Sequence, residues 1–407
     1  MANILIFNST VPYPPQHSGN TVRVYHLSQA LARHHRLFGA AFGDPDRRFR
    51  ALQDTGLYQD LLLLPDRSDA RPRAARLFHF MSGYLDRVAR PEYFERTVGA
   101  LWGFVNKNRI DLIITHTLPL TQYAEAIPGV AHIVDLIDSH TLAAERHYRQ
   151  AKAPLDWLQK ARHLTRLYRS RHRERFVTRH FPLVTTVSPI DQACLAALNR
   201  SANIHVVPNG VSPQLLEERR VNDEIANAIA FSGTLDFPPN STAVRYFHES
   251  VFLPYLKDRG ITWYIVGRNP GPRMLRMARE HDNIVVTGEV EDLFGLIARM
   301  PIVINPMRIG GGLKNKVLEG MALERLVISN RLGIESVDAV RDVHYVQAET
   351  PEEFAAAIVR YLGDAEARAK IGRAGRRLIL DHYTWTRVAD RYLELISQAL
   401  APGTGRA

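Results

Sequence analysis

Short apolar runs recur along the chain, and nearly every one is followed by a stretch with helical spacing. Runs at 3–10, 37–43, 61–65, 111–116, 131–138, 183–188 and 204–210 make one series; runs at 229–234, 262–270, 283–290, 301–305 and 325–330 make another. Each is too short for a buried helix and bounded by glycine, proline or polar residues, as buried parallel strands are. Strands alternating with helices require a parallel sheet covered on both faces. The polar, acid-rich stretch SPQLLEERRVNDEIAN, which starts near residue 211, separates the two series. A chain of 407 residues is also too long for one ordinary core, so two α/β domains are expected.

The second series contains the stretch with most chemistry in it. Residues 305–322 read NPMRIGGGLKNKVLEGMA, following the apolar run PIVIN. Gly310, Gly311 and Gly312 allow backbone angles and close approaches that a Cβ forbids. A helix follows, with Val317, Leu318, Met321 and Ala322 as its apolar stripe and Lys314, Lys316 and Glu319 as the charged groups of its first turns. Strand, glycine turn and helix N-terminus together form an anion site. Arg308 and Lys316 flank it, which suits a diphosphate; Glu319, expected roughly two turns into the helix, suits the hydroxyls of a ribose.

Lys and Arg number 52 against 42 acids, so the partners to expect are anionic: a nucleotide, an anionic membrane surface or nucleic acid. A single cysteine, Cys194, excludes an internal disulfide framework and a cysteine-based zinc cluster, and a reducing cytoplasmic setting is expected. Cys194 reads as a small core residue of a helix. No run reaches the length of a membrane-spanning helix, and no secretory leader is recognisable. The Asp44-Pro45-Asp46 sequence has the Asp-x-Asp form of a metal motif, but its proline and charged neighbours read as a solvated turn. Between 146 and 180 eleven Lys and Arg face only Asp156 and Glu174, which predicts one or two helices with an arginine-rich face. No recognised nucleic-acid motif accompanies them. Residues 71–106 are basic and aromatic at near-helical spacing. Phe78, Phe80, Met81, Tyr84 and Leu85 read as core, or as a lipid-facing side beside Arg71, Arg73 and Arg76. Asp135, Asp138 and His116 lie at strand ends, where open α/β sheets place their ligands.

Six motifs, in order, resemble one family. PYPPQHSGNTVRVYHLSQAL, VVPNGV, FSGTLDFPPN, IVGRNP, VTGEVED and RIGGGLKNKVLEGMA are similar to segments of GT4-like glycosyltransferases of the GT-B fold, most of all the bacterial branch that builds exopolysaccharide and other surface glycans. The resemblance implies an N-terminal Rossmann-like acceptor-binding domain (1–210) and a C-terminal Rossmann-like nucleotide-sugar domain (211–380), with parallel sheets facing a central cleft. A final helix (381–407) would cross back to the first domain. Glu319 matches the second Glu of the family's Glu-x7-Glu motif; the first falls on Gly311, where backbone amides of the triple-glycine loop would replace the carboxylate. Lys316 matches the basic residue beside the diphosphate. Thr234, Asp236 and Asn240 stand where many members carry an Arg and a Lys, which shifts the neutralising role toward Arg308 and Lys316. Gly19 corresponds to the loop facing the donor from the first domain; Gly267 and Arg268, with Glu289 and Val290, fall where the family encloses the base. The implied reaction is a retaining, metal-independent transfer from a nucleotide-sugar co-substrate to a glycan or polyprenyl-linked acceptor, with no other cofactor. Lys316, Arg308, Glu319 and Asp138 are the catalytic candidates, and the inner face of the cell membrane is the expected place of work. Two alternatives keep some of these features: a nucleotide-sugar epimerase of the same fold, and a non-catalytic membrane or nucleic-acid binding protein with a degenerate nucleotide site.

Overall fold

The computed structural model describes residues 1–14, 19–65, 86–150, 157–217 and 223–401. Phe78, Phe80, Met81, Tyr84 and Leu85, with Arg71, Arg73 and Arg76, lie outside the described residues. The chain divides into two compact units. One comprises Met1–Pro208 together with Trp385–Ala407, the other Asn209–Thr384.

The first unit holds a seven-stranded sheet of β1 (Asn3–Asn8), β2 (Arg36–Phe42), β3 (Leu61–Leu64), β4 (Leu112–His116), β5 (Ala131–Ile137), β6 (Val184–Thr186) and β7 (Ile204–Val206). Every pairing is parallel, in the order β3-β2-β1-β4-β5-β6-β7. Alternate residues of each central strand serve opposite faces, which is why these strands read as continuous apolar runs. Ile4, Ile6, Leu112 and Ile114 pack with the helix Trp385–Leu400, whereas Leu5, Phe7 and Ile113 pack with Phe94, Leu101 and Tyr123. The last helix therefore supplies one side of this core through Val388, Tyr392, Leu395 and Ile396.

The second unit holds β8 (Ala228–Ser232), β9 (Thr262–Val266), β10 (Ile284–Gly288), β11 (Ile302–Asn305), β12 (Leu326–Ser329) and the two-residue β13 (Val346–Gln347). These pair in parallel in the order β10-β9-β8-β11-β12-β13. Ile229, Phe231, Ile302 and Ile304 face one core; Ala228, Ala230 and Val303 face the other. The order reverses between β8 and β11, and a crevice opens at such a switch point beyond the carboxyl ends of the two strands. Two helices starting there position the site. Pro238–Tyr246 begins with a proline pair, since proline at the first helical position costs no backbone hydrogen bond. Asn315–Ala322 follows the glycine loop. The helices Pro351–Leu362 and Ala365–His382, the first started by a Thr350–Glu353 capping box, complete the far end of the sheet.

Candidate active site

Beyond β8 the chain turns at Gly233, and beyond β9 at Gly267. Their φ angles are +148° and +149°, and a Cβ on Gly267 would lie 1.8 Å from the Gly233 carbonyl oxygen. Only glycine permits this approach. It is stitched by Gly233 N–H to Val266 O (3.0 Å) and Leu235 N–H to Arg268 O (2.9 Å). Asn240, buried in the first turn of its helix, donates through Nδ2 to Thr234 O at 2.8 Å and accepts through Oδ1 from Lys316 Nζ at 2.7 Å. The Lys316 ammonium also lies 3.7 Å from the centre of the Phe231 ring. A cation is thus fixed at the end of β8 by an amide from one helix, an aromatic face from the strand and its own place in the next helix.

The glycine loop leads to that cation. Gly310 and Gly312 have φ of +112° and +66°. The Gly312 carbonyl accepts from Lys314 Nζ (2.8 Å) and from Ser336 Oγ (2.9 Å). Lys314 is therefore not a charged group of the helix's first turn: it is the buried residue before the helix, turned back to hold the loop, with Glu335 3.6 Å away. No side chain caps the N-terminus of Asn315–Ala322. Its first-turn N–H groups are of the kind that bind anions. Behind the loop, Asn330 Nδ2 donates to Met307 O (2.6 Å) and Asn305 Nδ2 to Gly333 O (3.0 Å), fixing the exit of β11.

Glu319 is the fifth residue of the helix, little more than one turn in rather than two, and three residues after Lys316 on the same face. Both side chains are half-buried. Burial pushes Lys316 down to about 7, against the pull of Glu319 and helped by Lys314. Burial likewise pushes Glu319 up to about 7, with Lys316 opposing. A lysine and a glutamate poised near neutrality, one turn apart at a helix N-terminus, form a pair whose charges a bound anion would rearrange. Arg308 is exposed and lies over the Tyr246 ring at 4.5 Å. Glu289 is exposed and Val290 half-buried, just past β10. The structure thus gathers Thr234, Asn240, Gly267, Arg268, the glycine loop, Lys316 and Glu319 around the carboxyl ends of β8, β9 and β11.

Gly19 and Asp138 belong to the first unit. Gly19 opens the helix Gly19–Leu31, and Asp138 follows β5. Two of the three strand-end candidates are corrected. Asp135 and His116 are both fully buried, so neither meets a substrate. Arg23, wholly buried as well, donates to Asp135 through Nε (2.7 Å) and Nη2 (3.1 Å). His116 Nδ1 lies 3.0 Å from Asp135, and Thr185 Oγ1 donates to it at 3.0 Å. Burial alone would raise the Asp135 carboxyl, yet Arg23 and His116 hold it well below the usual carboxylate range. Cys194 is partly buried, with Ser139 Oγ at 3.5 Å. Asp46 of the Asp-x-Asp sequence caps the helix Arg47–Asp54, accepting from Arg48 and Phe49 N–H.

Sequence reading missed the setting of Asp138. Ile137 has φ +65°, a conformation costly for a β-branched residue and found where surroundings impose it. The next residues are pinned by two buried carboxylates. Glu174 accepts from His140 N–H (2.6 Å), Thr141 N–H (3.2 Å) and Ser139 Oγ (3.1 Å), while Asp191 accepts from Ser139 N–H (2.8 Å). Burial pushes Glu174 up to about 7 despite the hydrogen bonds from Thr141, His140 and Ser139. The one available signal was an acid, Glu174, alone in a run of arginines.

Two parallel-sheet Rossmann-like units of this order and content define a GT-B fold, the architecture of many sugar-nucleotide-dependent transferases. The solved structures agree. A sucrose-phosphate synthase from Thermosynechococcus elongatus superposes with a TM-score of 0.72 at 14% identity, over 98% of this chain and 99% of that one. A glycosyltransferase from Rickettsia africae gives 0.66 at 14% identity, over 99% of each chain. The Anabaena protein HepE, solved with UDP-glucose, gives 0.66 at 13% identity, over 98% of this chain and 100% of that one. Residues 226–364, which include the whole of the second-unit site, match the family described as Glycosyl transferases group 1. A search of curated protein sequences finds no match.

Proposed function

We propose that the chain is a glycosyltransferase that moves a hexosyl group from a nucleotide-diphosphate sugar to a glycan or polyprenyl-linked acceptor. The observation that carries this reading is the Lys316–Asn240 bond at the β8/β11 switch point, beside an uncapped helix N-terminus and a triple-glycine loop. The family match over that segment supports it. UDP is the proposed carrier, since HepE is a neighbour solved with UDP and UDP-glucose. Lys316 and the helix N-terminus meet the diphosphate, Arg308 adds charge at the rim, and Glu319 accepts from the ribose hydroxyls.

Breaking the anomeric C–O bond leaves charge on the departing diphosphate, and stabilising that charge is the main catalytic task. In this reading Lys316 takes that task and the transfer is metal-independent. Transfer proceeds with retention of configuration: the leaving phosphate takes the proton of the incoming hydroxyl as the new C–O bond forms on the face the diphosphate leaves, and Asp138 orients that hydroxyl. The protein belongs to the GT4-like branch that assembles exopolysaccharide and works at the inner face of a membrane, where a lipid-linked acceptor resides.

Thermal shift with UDP, GDP and ADP and their glucose conjugates tests the donor site. UDP at a hundred times its dissociation constant stabilises wild type by ~2.7 kcal/mol. Lys316→Ala and Glu319→Ala lose the effect. A well-folded wild type that responds to none of these ligands overturns the reading, and epimerised sugar produced without an acceptor replaces it with the epimerase.

A further inference from the structure

The longest helix of the first unit, Trp157–His180, carries eight Lys and Arg and one acid, Glu174. Glu174 is fully buried, so no carboxylate of this helix faces solvent. Positions 157, 164, 168, 171, 175 and 179 are seven, four, three, four and four residues apart, spacings that keep a helix returning to the same side. Trp157, Leu164, Tyr168, Arg171, Arg175 and Arg179 therefore form one stripe, ~33 Å long at the usual helical rise. All six are exposed. Trp157 is 73% exposed, Tyr168 72% and Leu164 48%, values that no packing within the described residues accounts for. The opposite side, with Ser170, Glu174, Val177 and Thr178, is buried against the unit.

The stripe is divided along its length. Its first half offers an indole, a phenol and an aliphatic chain; its second half offers three guanidinium groups. Lys160, on one flank of the apolar half, adds exposed positive charge. Indole and phenol rings favour the boundary between headgroups and acyl chains, and arginines favour the phosphates above it. A second copy of this chain would bring arginines into the interface with no acid on the stripe to pair them. A nucleic acid would meet the arginines but give Leu164 no apolar host.

We propose that this stripe docks the protein on an anionic lipid bilayer, Trp157, Leu164 and Tyr168 entering the headgroup boundary and Arg171, Arg175 and Arg179 resting on lipid phosphates. The inference names the surface that brings the enzyme to a lipid-linked acceptor, and it rests on the proposed function only for that purpose. No helix among the described residues is long and apolar enough to cross a membrane, so attachment by this stripe is superficial and salt-sensitive.

Sedimentation of the full-length protein with vesicles tests it, using phosphatidylcholine alone and phosphatidylcholine mixed with phosphatidylglycerol. Wild type sediments with the anionic vesicles and not with phosphatidylcholine. The triple variant Arg171→Gln, Arg175→Gln, Arg179→Gln binds them roughly a hundredfold more weakly, three charges near an anionic surface being removed. The triple variant Trp157→Ala, Leu164→Ala, Tyr168→Ala binds at least about tenfold more weakly although its charge is unchanged. Circular dichroism verifies that both remain folded. Undiminished binding by the apolar variant overturns the proposal, as does wild type that ignores anionic vesicles while binding single-stranded DNA. So does a dimer that the apolar substitutions dissociate, in protein that does not bind vesicles. UDP-induced thermal shift is measured on the same samples. Wild type that responds to UDP but not to vesicles removes only the docking surface, whereas binding to vesicles without any nucleotide response removes the proposed function.

Discussion

A lysine that spends its life among a phenylalanine ring, an asparagine and a glutamate is badly solvated when no anion is present. Its lowered pKa means that the unfolded chain holds more protons than the native one between about pH 7 and Lys316's ordinary value near 10.5. Native stability therefore rises with pH across that window as far as this group is concerned. Lys316→Met should give ligand-free protein that melts higher than wild type at pH 7, the gap shrinking toward pH 10. The same variant should lose UDP binding by about a hundredfold or more, as removal of a charge-stabilising group at an oxyanion does to rate. Differential scanning calorimetry and titration calorimetry read the two halves. Binding of a diphosphate favours the ammonium form, so UDP uptake by wild type should absorb protons, and affinity should fall as pH rises above about 7. The signature is a binding enthalpy that changes with buffer ionisation. At Gly311 the backbone has no positive φ, and a Cβ would meet nothing within 4 Å. Gly311→Glu, which restores the Glu-x7-Glu spacing, should fold with stability within ~0.5 kcal/mol of wild type. Gly310→Ala, forced to φ +112°, should melt several degrees lower.

Elements carry a different lesson, because here the sequence speaks unevenly. Strands buried on both faces announce themselves as apolar runs, whereas the order in which β8, β9, β11 and β12 pair is written in no single run. The glycine loop was equally legible, since Gly310 and Gly312 need their glycines and Lys316 lies one turn beyond. Other features have no local signal. β13 is two residues long and exists because β12 offers it an edge. The helices at 351–362 and 365–382 lie outside the recognisable motifs, although Thr350 and Glu353 spell a capping box. Asp135 looked like a strand-end ligand because nothing near it in sequence is positive. Its partner Arg23 is 112 residues away and meets it only once β1, β4 and β5 lie side by side. Asp135→Asn should cost ~3–5 kcal/mol by leaving the guanidinium uncompensated. The native carboxyl titrates below its unfolded value, so its stabilisation is complete above about pH 4 and is lost as pH falls further. The difference between wild type and variant, followed by urea denaturation, should therefore narrow on acidification from pH 5.

At the scale of the whole molecule, the two units are unequal in how the chain composes them. The second is a continuous segment, Asn209–Thr384, with its own two-faced core. A fragment spanning it should melt cooperatively and keep its response to UDP, because every residue assigned to the diphosphate lies within it. The first unit is discontinuous. Ending the chain at Thr384 removes Trp385, Val388, Tyr392, Leu395 and Ile396 from its core and takes the Tyr392 hydroxyl from beside Thr185. Such a truncated protein should be insoluble or should bind the dye that marks exposed apolar surface, while the 209–384 fragment should do neither. Failure of that fragment to fold would show that the division seen in the contacts is not a division in stability.

That last helix also sets an order of events on the ribosome. The N-terminal unit is translated first, yet one wall of its core is encoded after a detour of 176 residues, from Asn209 to Thr384. At ~5–20 residues per second the nascent chain must carry an incomplete, apolar-faced sheet for roughly ten to thirty-five seconds. Meanwhile the part made later can close on itself without waiting. Birth order and maturation order are reversed in this protein, and the unfinished first half is where a chaperone would find its work.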